Sequence, residues 1–303
     1  EHGDMFWTPR RYFVGSESSG VRAPGNTRRA PRPKEPSFDP VGAPTWVPAD
    51  PALPESVHGL WYREGQSFGI ELELTTDSGA VPKLDSAWLR KAEALRSALA
   101  TALPGLVADE VRSDYVGSEG DKDTTVWNVE WDASAGWEVS SRVLANLEGF
   151  VEVDTACRAI EEGAARLGLR VSHRTGLHVH LGWLGRDLAE VKRAIGLTRL
   201  FEPALATLVA PSRIAHFESG AYDVTKPNPY CRPVSSVYST ELLTRVRSLE
   251  ALRRVAEADN ARFVTFNVRP LAHIHTVEVR MHNGTLEARK ILLWTSLWQQ
   301  LLW

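Results

Sequence analysis

Five stretches of the chain alternate residue by residue between apolar and ionisable side chains, and this limits the fold more than any other feature. They are "SFGIELEL" (67–74), "WNVEWD" (127–132), "GWEVS" (136–140), "TGLHVHLGW" (175–183) and "HTVEVRMH" (275–282). Successive side chains of a strand point to opposite faces, so residues i and i+2 share a side. Glu71 and Glu73 therefore stand opposite Ile70, Leu72 and Leu74. Glu130 and Asp132 oppose Val129 and Trp131, and Glu138 and Ser140 oppose Trp137 and Val139. His178 and His180 oppose Leu177, Val179 and Leu181, while Glu278 and Arg280 oppose Val277, Val279 and Met281. One sheet with an apolar underside and an ionisable upper face accounts for all five.

Taken singly, a Glu-x-Glu strand is most simply a wet surface. A wet face, however, is usually rich in Lys and Thr, and these positions hold carboxylates, imidazoles and one Arg. Clustered carboxylates repel one another unless something cationic lies between them. Carboxylate oxygens with an imidazole nitrogen suit a divalent cation, and two cations would account for so many ligands.

The remaining periodicity is helical. Trp88, Ala92, Leu95, Leu99 and Ala102 fall on one helix face, with Asp85 or Ser86 as N-cap and Pro104-Gly105 as the stop. Further helices are expected over about 154–167 (ended by Gly168), across 187–209 as one helix or a pair, over 241–258, and from 286 to 303. "ASAG" (133–136) reads as a hairpin turn, and "RFVTFNVRP" (262–270) as one more strand. Helices and strands mix without strict alternation, so the expected class is α+β with a largely antiparallel sheet, not a doubly wound fold.

Residues 1–65 differ. Ten of the eighteen prolines lie before residue 55, among arginine-rich pieces such as "NTRRAPRPKEP". Proline cannot join a helix interior or central strand, so this segment reads as an extended N-terminal arm, with the folded domain at 66–303. A flexible tail is one reading. An arm wrapping the domain or a partner subunit, another copy of the chain included, is the other. Phe6, Trp7, Tyr12, Phe13, Trp46 and Trp61 would be its anchors.

A formal charge of −3 argues against nucleic acid and membrane surfaces as partners, since both need a basic excess. No apolar run approaches the ~20 residues of a membrane span, and the polar N-terminus lacks the apolar core of a secretory signal. Cys157 and Cys231 sit far apart in unlike settings, which excludes a disulfide scaffold and makes a reducing cytoplasm the expected location. The chain starts without Met and stops inside an apolar helix, and so reads as a fragment or processed product.

Familiar phosphate cradles are absent: there is no Gly-x4-Gly-Lys-Ser/Thr loop, and no Gly-x-Gly-x-x-Gly opens a helix. Neither cysteine neighbours a histidine in sequence, and no Gly-x-Ser-x-Gly elbow occurs. Arg280, with Arg262, Arg269 and Arg213, could instead neutralise phosphate oxygens. Metals and arginines without a covalent nucleophile are the equipment of phosphoryl transfer.

"FGIELEL", "WNVEWDASAGWEVSS", "TGLHVHLGW" and "RFVTFNVRP…HTVEVRMHNGT", in that order, resemble the amidoligase family. These are carboxylate–amine ligases related to glutamine synthetase and glutamate–cysteine ligase. The resemblance covers about 66–303 and not the arm. It implies a glutamine-synthetase-like catalytic domain: a curved, mainly antiparallel sheet backed by helices, whose polar concave face binds ATP and two Mg²⁺ or Mn²⁺ ions. It further implies Glu71, Glu73, Glu138, His178 and Glu278 as metal ligands. His180 would be a second imidazole ligand or touch substrate or phosphate. Arg280 would hold the transferred phosphoryl group or the substrate carboxylate, with Arg262, Asn267 and Arg213 as further nucleotide contacts. Where the family has Ser-Pro after the Glu138 position, this chain has Ser140-Ser141.

Joining an acid to an amine in water is uphill, so ATP would first convert the carboxylate to an acyl phosphate. Glu130, Asp132 or His180 would take the amine's proton. The substrates expected are a small-molecule or peptide acid and an amine. The loops at 115–125 and 216–233 are candidates to select them, the second as a lid or as an ordinary surface loop. Two other readings remain: a catalytically degenerate ligase fold used as a binding or scaffolding module, and a cupin-like metalloenzyme. The cupin pattern requires a Glu three or four residues after the second His, where this chain has Trp183 and Leu184.

Overall fold

The alternation becomes a sheet because each strand needs somewhere to bury its apolar side. The computed structural model describes residues 41–76, 83–113, 123–183, 185–218, 221–258 and 261–303. In chain order these form β1 (Pro44–Trp46), β2 (Trp61–Arg63), β3 (Ser67–Thr76), α1 (Ser86–Ala102), β4 (Asn128–Asp132), β5 (Gly136–Ser140), β6 (Leu144–Ala145), α2 (Asn146–Leu167) and β7 (Leu169–Arg170). Then follow β8 (Gly176–Gly182), α3 (Leu188–Leu205), β9 (Ala215–Glu218), β10 (Ala221–Pro227), α4 (Thr240–Arg245), α5 (Leu249–Ala258), β11 (Phe266–Asn267), β12 (Thr276–Asn283) and α6 (Ala288–Leu302). Phe6, Trp7, Tyr12, Phe13 and most of the 115–125 loop lie outside the described residues.

The main sheet has eight strands, in the order β11-β12-β8-β3-β5-β4, with β6 and β7 pairing the two ends of β3. Every pairing is antiparallel. The class is α+β. Phe68, Ile70, Leu72 and Leu74 of β3 are buried, as are Leu177, Val179 and Leu181 of β8 and Val277 and Val279 of β12. Each such burial contributes on the order of 1.5–3 kcal/mol. The covering layer comes from α1, which buries Trp88, Ala92, Leu95 and Leu99, from α2, and from α6 with Ile291, Leu292 and Trp298. Asp85 caps α1 by accepting from Ala87 N and Trp88 N, so the cap residue is Asp85 and not Ser86.

Residues 44–63 pack on α6 and α2. Val47, Val57 and Leu60 enter the core, Ser296 Oγ donates to the Trp61 carbonyl, and Ser56 Oγ donates to Asp154. Trp46 and Trp61 rest on each other, 5.2 Å between ring centroids, and stay about half exposed.

Three expected elements are corrected. α2 starts at Asn146 and not near 154, because its entry carries no cap signal: Ala145 has no side-chain cap bond and Asn146 has φ +54. The helix over 241–258 is two helices. Val246 turns extended (ψ 129), its carbonyl accepts Lys192 Nζ, and Ser248 Oγ caps the next helix through Ala251 N. The strand over 262–270 shrinks to Phe266–Asn267, flanked by 3-10 turns at Ala261–Phe263 and Arg269–Ala272. Pro270 cannot donate to a ladder, and Phe263 O and Thr265 N bond Arg232 instead. The 216–233 segment contains the β9–β10 hairpin. Among the described residues no helix is long and apolar enough to cross a membrane.

Trp88 joins two layers: its Nε1 donates to the Gly136 carbonyl at 2.6 Å, and its ring stacks near Trp137 and meets Trp131 edge-on. Trp88→Ala is expected to cost about 3–5 kcal/mol of unfolding free energy. Trp88→Phe, which keeps most of the ring but strands the carbonyl, should cost less. Urea unfolding followed by circular dichroism checks both the size and the order.

Candidate active site

The register sets the site. Across the sheet Asn267 lies opposite Glu278, Glu278 opposite His180, and His178 opposite Glu71. Glu73 lies opposite Glu138, and Glu138 opposite Glu130. Directly opposed residues of antiparallel strands point the same way, so side chains far apart in sequence meet above one surface. Between Val279 and His282 the pairing with β8 slips by one residue, a bulge that carries Arg280. Bulges bend a strand and re-aim side chains. Here the guanidinium lies against Glu278 through Nη1, with His178 Nδ1 3.4 Å from the same nitrogen.

His178 is 2% exposed and sits among carboxylates: Nδ1 is 3.0 Å from Glu71 Oε2 and 3.5 Å from Glu278 Oε1. Its Nε2 is buried and makes no hydrogen bond, with Glu73 Oε1 3.5 Å away. His180 Nε2 is 3.4 Å from Glu71 Oε1, and its Nδ1 meets Thr276 Oγ1 at 3.0 Å. Three groups of donor atoms result, each within 4.8 Å: Glu71–His180–Glu278, Glu71–Glu138–His178 and Glu73–Asp132–Glu138. They share Glu71 and Glu138 and so step across the sheet. Ligand atoms about 2.0–2.6 Å from one ion lie within roughly 5 Å of one another. Geometry, a buried imidazole nitrogen without a hydrogen bond, and hard oxygen donors all fit divalent ions, Mn²⁺ tolerating the imidazoles better than Mg²⁺.

The electrostatics divide two equally buried carboxylates. Burial pushes Glu278 up, but contact with Arg280 and the fields of His180 and His178 outweigh it, so the net shift is down. Burial raises Glu73, Asp132 adds to the rise, and His178, Arg213 and Arg280 offset it only in part. Burial alone would lower Arg280, yet Glu278, Glu73 and Glu71 raise it further above its ordinary value. The two carboxyls are therefore shifted in opposite directions, Glu278 toward its ionised form and Glu73 toward its neutral one.

The cavity over this face, about 460 Å³, is walled by Glu71, Glu73, Glu130, Asp132, Glu138 and Glu278. Arg262, Arg213 and Arg280 also line it, with Arg262 over the Phe263 ring. Asn267 does not line it: fully buried, it donates to Glu278 Oε2 at 2.6 Å and accepts from Arg269 N. Asp132 Oδ1 accepts from Ser134 N, Ser134 Oγ and Ala135 N, which locks that carboxylate. Two lining arginines escape sequence reading. Arg112 sits in an aperiodic loop and is placed by a backbone bridge to β4. Arg174 stands just before the histidine strand, where proximity to "TGLHVHLGW" is a usable signal. Sequence reading also misses Thr276, which lies opposite Gly182 across the sheet and meets His180 Nδ1. A larger cavity of about 1080 Å³ meets the first at Glu71 and His180 and reaches Ser141 and Arg142.

Fold and site define an α+β protein built around a carboxylate–imidazole face suited to divalent ions. A family model described as "Putative amidoligase enzyme" matches residues 64–302, and the chain belongs to that family. Among solved structures it is similar to a novel glutamine synthase homolog, with TM-score 0.39, 17% identity, and 78% of this chain and 54% of that chain covered. It is also similar to a chain from the complex between the prokaryotic ubiquitin-like protein Pup and its ligase PafA, with TM-score 0.34, 12% identity, and 78% and 46% covered. The chain thus spans about half the length of the solved structures it matches. No curated protein matches it.

The raised Glu73 has a measurable consequence in chelator-treated protein. A carboxylate whose folded pKa exceeds its unfolded value contributes stability below the unfolded pKa, and loses it as pH rises through the folded one. Glu73→Gln cannot titrate. Its stability relative to wild type is therefore expected to improve as pH rises from about 4 to the raised folded-state pKa of Glu73, and to level off above it. Urea titrations at stepped pH check this; a pH-independent difference would contradict it.

Proposed function

We propose that this chain is an ATP-dependent carboxylate–amine ligase, with residues 66–303 as the catalytic domain. The observation that carries the reading is the row of three overlapping donor groups beside the buried Arg280. Glu71, Glu73, Glu138, His178 and Glu278 are the metal ligands, joined by His180 on the Glu71 side. Divalent ions held by these residues would supply positive charge that offsets the charge developing on the phosphoryl group. Asn267 acts through Glu278, which it holds in place.

The nucleoside occupies the larger cavity, whose volume exceeds what a nucleotide needs and which opens onto the donors at Glu71 and His180. The acid and amine, small molecules or peptides, enter on the arginine-walled side. The acid's carboxylate oxygen attacks the γ-phosphorus, ADP leaves, and the amine then displaces phosphate from the acyl phosphate and gives up a proton. Arg280, with Arg262 and Arg213 at the wall, steadies the phosphoryl oxygens or the substrate carboxylate. We assign the proton to Asp132, which lines the cavity and whose carboxylate is oriented by three donors to Oδ1. His180 is instead committed between Thr276 and Glu71.

ADP release should require ATP, a divalent ion, an acid and an amine together. A scaffold would release none with any mixture, including pooled amino acids and dicarboxylates. Glu71→Gln is expected to lower turnover on the order of 10²-fold or more with an unchanged melting profile. A fully active Glu71→Gln protein would refute the ligand assignment.

A further inference from the structure

The larger cavity, about 1080 Å³, and the carboxylate cavity have four lining residues in common: Glu71 and His180 on the sheet, and His273 and Ile274 on the loop that leads into β12. His275 lines the larger cavity only. The loop backbone is fixed at both ends. His273 N and Ile274 N donate to the Pro270 carbonyl, and the His275 carbonyl accepts Trp183 N at 2.8 Å.

Among the described residues two non-glycines have positive φ, Asn146 and His275, both at +54. Such a backbone is unfavourable with a Cβ; histidine tolerates it better than most residues, and glycine better still. At Asn146 the side chain has a use inside the fold, since its Oδ1 accepts Gly65 N at 2.8 Å. At His275 the imidazole is exposed and has no hydrogen bond or ion pair among the described residues. Its bond to Trp183 uses only the carbonyl, and a glycine would make that bond with less strain. What a glycine would lack is the ring at the cavity's edge.

The other charged donors of this cavity are already engaged. No lysine lines it among the described residues. Glu152 holds Arg142, and Glu190 holds Arg186 at 2.9 Å, with the Trp303 ring 3.8 Å from the same guanidinium. His180 is taken up by Thr276 and Glu71. Of the cationic and imidazole side chains that line the cavity, His273 and His275 alone stay uncommitted among the described residues.

We propose that His273 and His275 clamp the nucleotide's triphosphate, His275 on the phosphates nearer the nucleoside and His273 on the γ-phosphoryl group at the junction of the two cavities. Each ring offers an N–H to a phosphate oxygen, a charge-assisted bond. The inference rests on the ligase reading for the nucleotide's place.

The test is calorimetric titration of the full chain, in saturating Mn²⁺, with a non-hydrolysable ATP analogue and with ADP. His275→Gly keeps the carbonyl bond and relieves the backbone. Its melting temperature should equal or exceed that of wild type, while the analogue binds about tenfold more weakly, as expected for one lost charge-assisted hydrogen bond. His273→Ala should weaken the analogue by about the same factor and ADP by less. His273→Gln, which keeps a donor, should recover most of that loss. Mn²⁺ affinity without nucleotide, read by electron paramagnetic resonance, should be the same in every variant, which separates a phosphate contact from ion ligation. The clamp is refuted if His275→Gly binds the analogue as wild type does, if its loss comes with a lower melting temperature, or if His273→Ala weakens ADP as much as the analogue. The expected losses in a protein that releases no ADP with any acid and amine would sink the ligase reading and leave the clamp standing. ADP release by wild type with unchanged affinities in the variants would do the reverse.

Discussion

Mutual repulsion among carboxylates is the constraint that the rest of this structure answers. Six of them line one cavity of about 460 Å³, on strands that cannot move apart without breaking the ladder. Three devices make the arrangement tolerable. Arg280 touches Glu278 and holds its carboxyl below the usual range, the imidazole of His178 separates Glu71, Glu73 and Glu278, and burial pushes Glu73 up toward its neutral form. The apolar underside must then be rigid enough to hold this face together. That explains why the covering helices bury large rings such as Trp88, Phe150 and Trp298 and not only small aliphatics.

Much of this was legible in the sequence because a strand's period is local information. The pairs Glu71/Glu73 and His178/His180, the turn at 133–136 and the cap at Asp85 follow from neighbours in the chain, and the structure shows them where the pattern puts them. What was not legible depends on partners distant in sequence. The bulge at Arg280 has no Gly or Pro to announce it and arises from pairing with both β8 and the Thr265 carbonyl. Arg112 reaches the cavity through a backbone bridge, and the strand expected over 262–270 loses most of its length to Arg232. Helix ends at Asn146 and Val246 were missed because tertiary contacts, with Gly65 N and Lys192 Nζ, stabilise them.

Glycines flanking a strand leave room beside the backbone. At Gly182 a Cβ would collide with Ser67 Oγ, and at Gly176 with His178 and Arg213, so that space is already filled by the protein's own side chains. Gly176 is therefore a device for bringing a guanidinium down onto the backbone of the sheet. A larger residue there would push against Arg213 Nη1 and Nη2 and against His178 Nε2.

The wall of the carboxylate cavity divides by scaffold as well as by sign of charge. Every carboxylate and imidazole of the donor groups stands on a paired strand: β3, β4, β5, β8 or β12. Of the lining arginines only Arg280 does; Arg112 and Arg174 sit in loops, and Arg213, Arg262 and Arg269 in 3-10 turns. Ion ligands need fixed positions to within a few tenths of an ångström, which ladder hydrogen bonds supply. Groups that meet a substrate's own charges need only reach them, and loops can be altered without disturbing a sheet. On the proposed ligase reading, a chain built this way could keep the chemistry of its donor face constant while its substrates change, because the two jobs are fastened to different parts of the backbone.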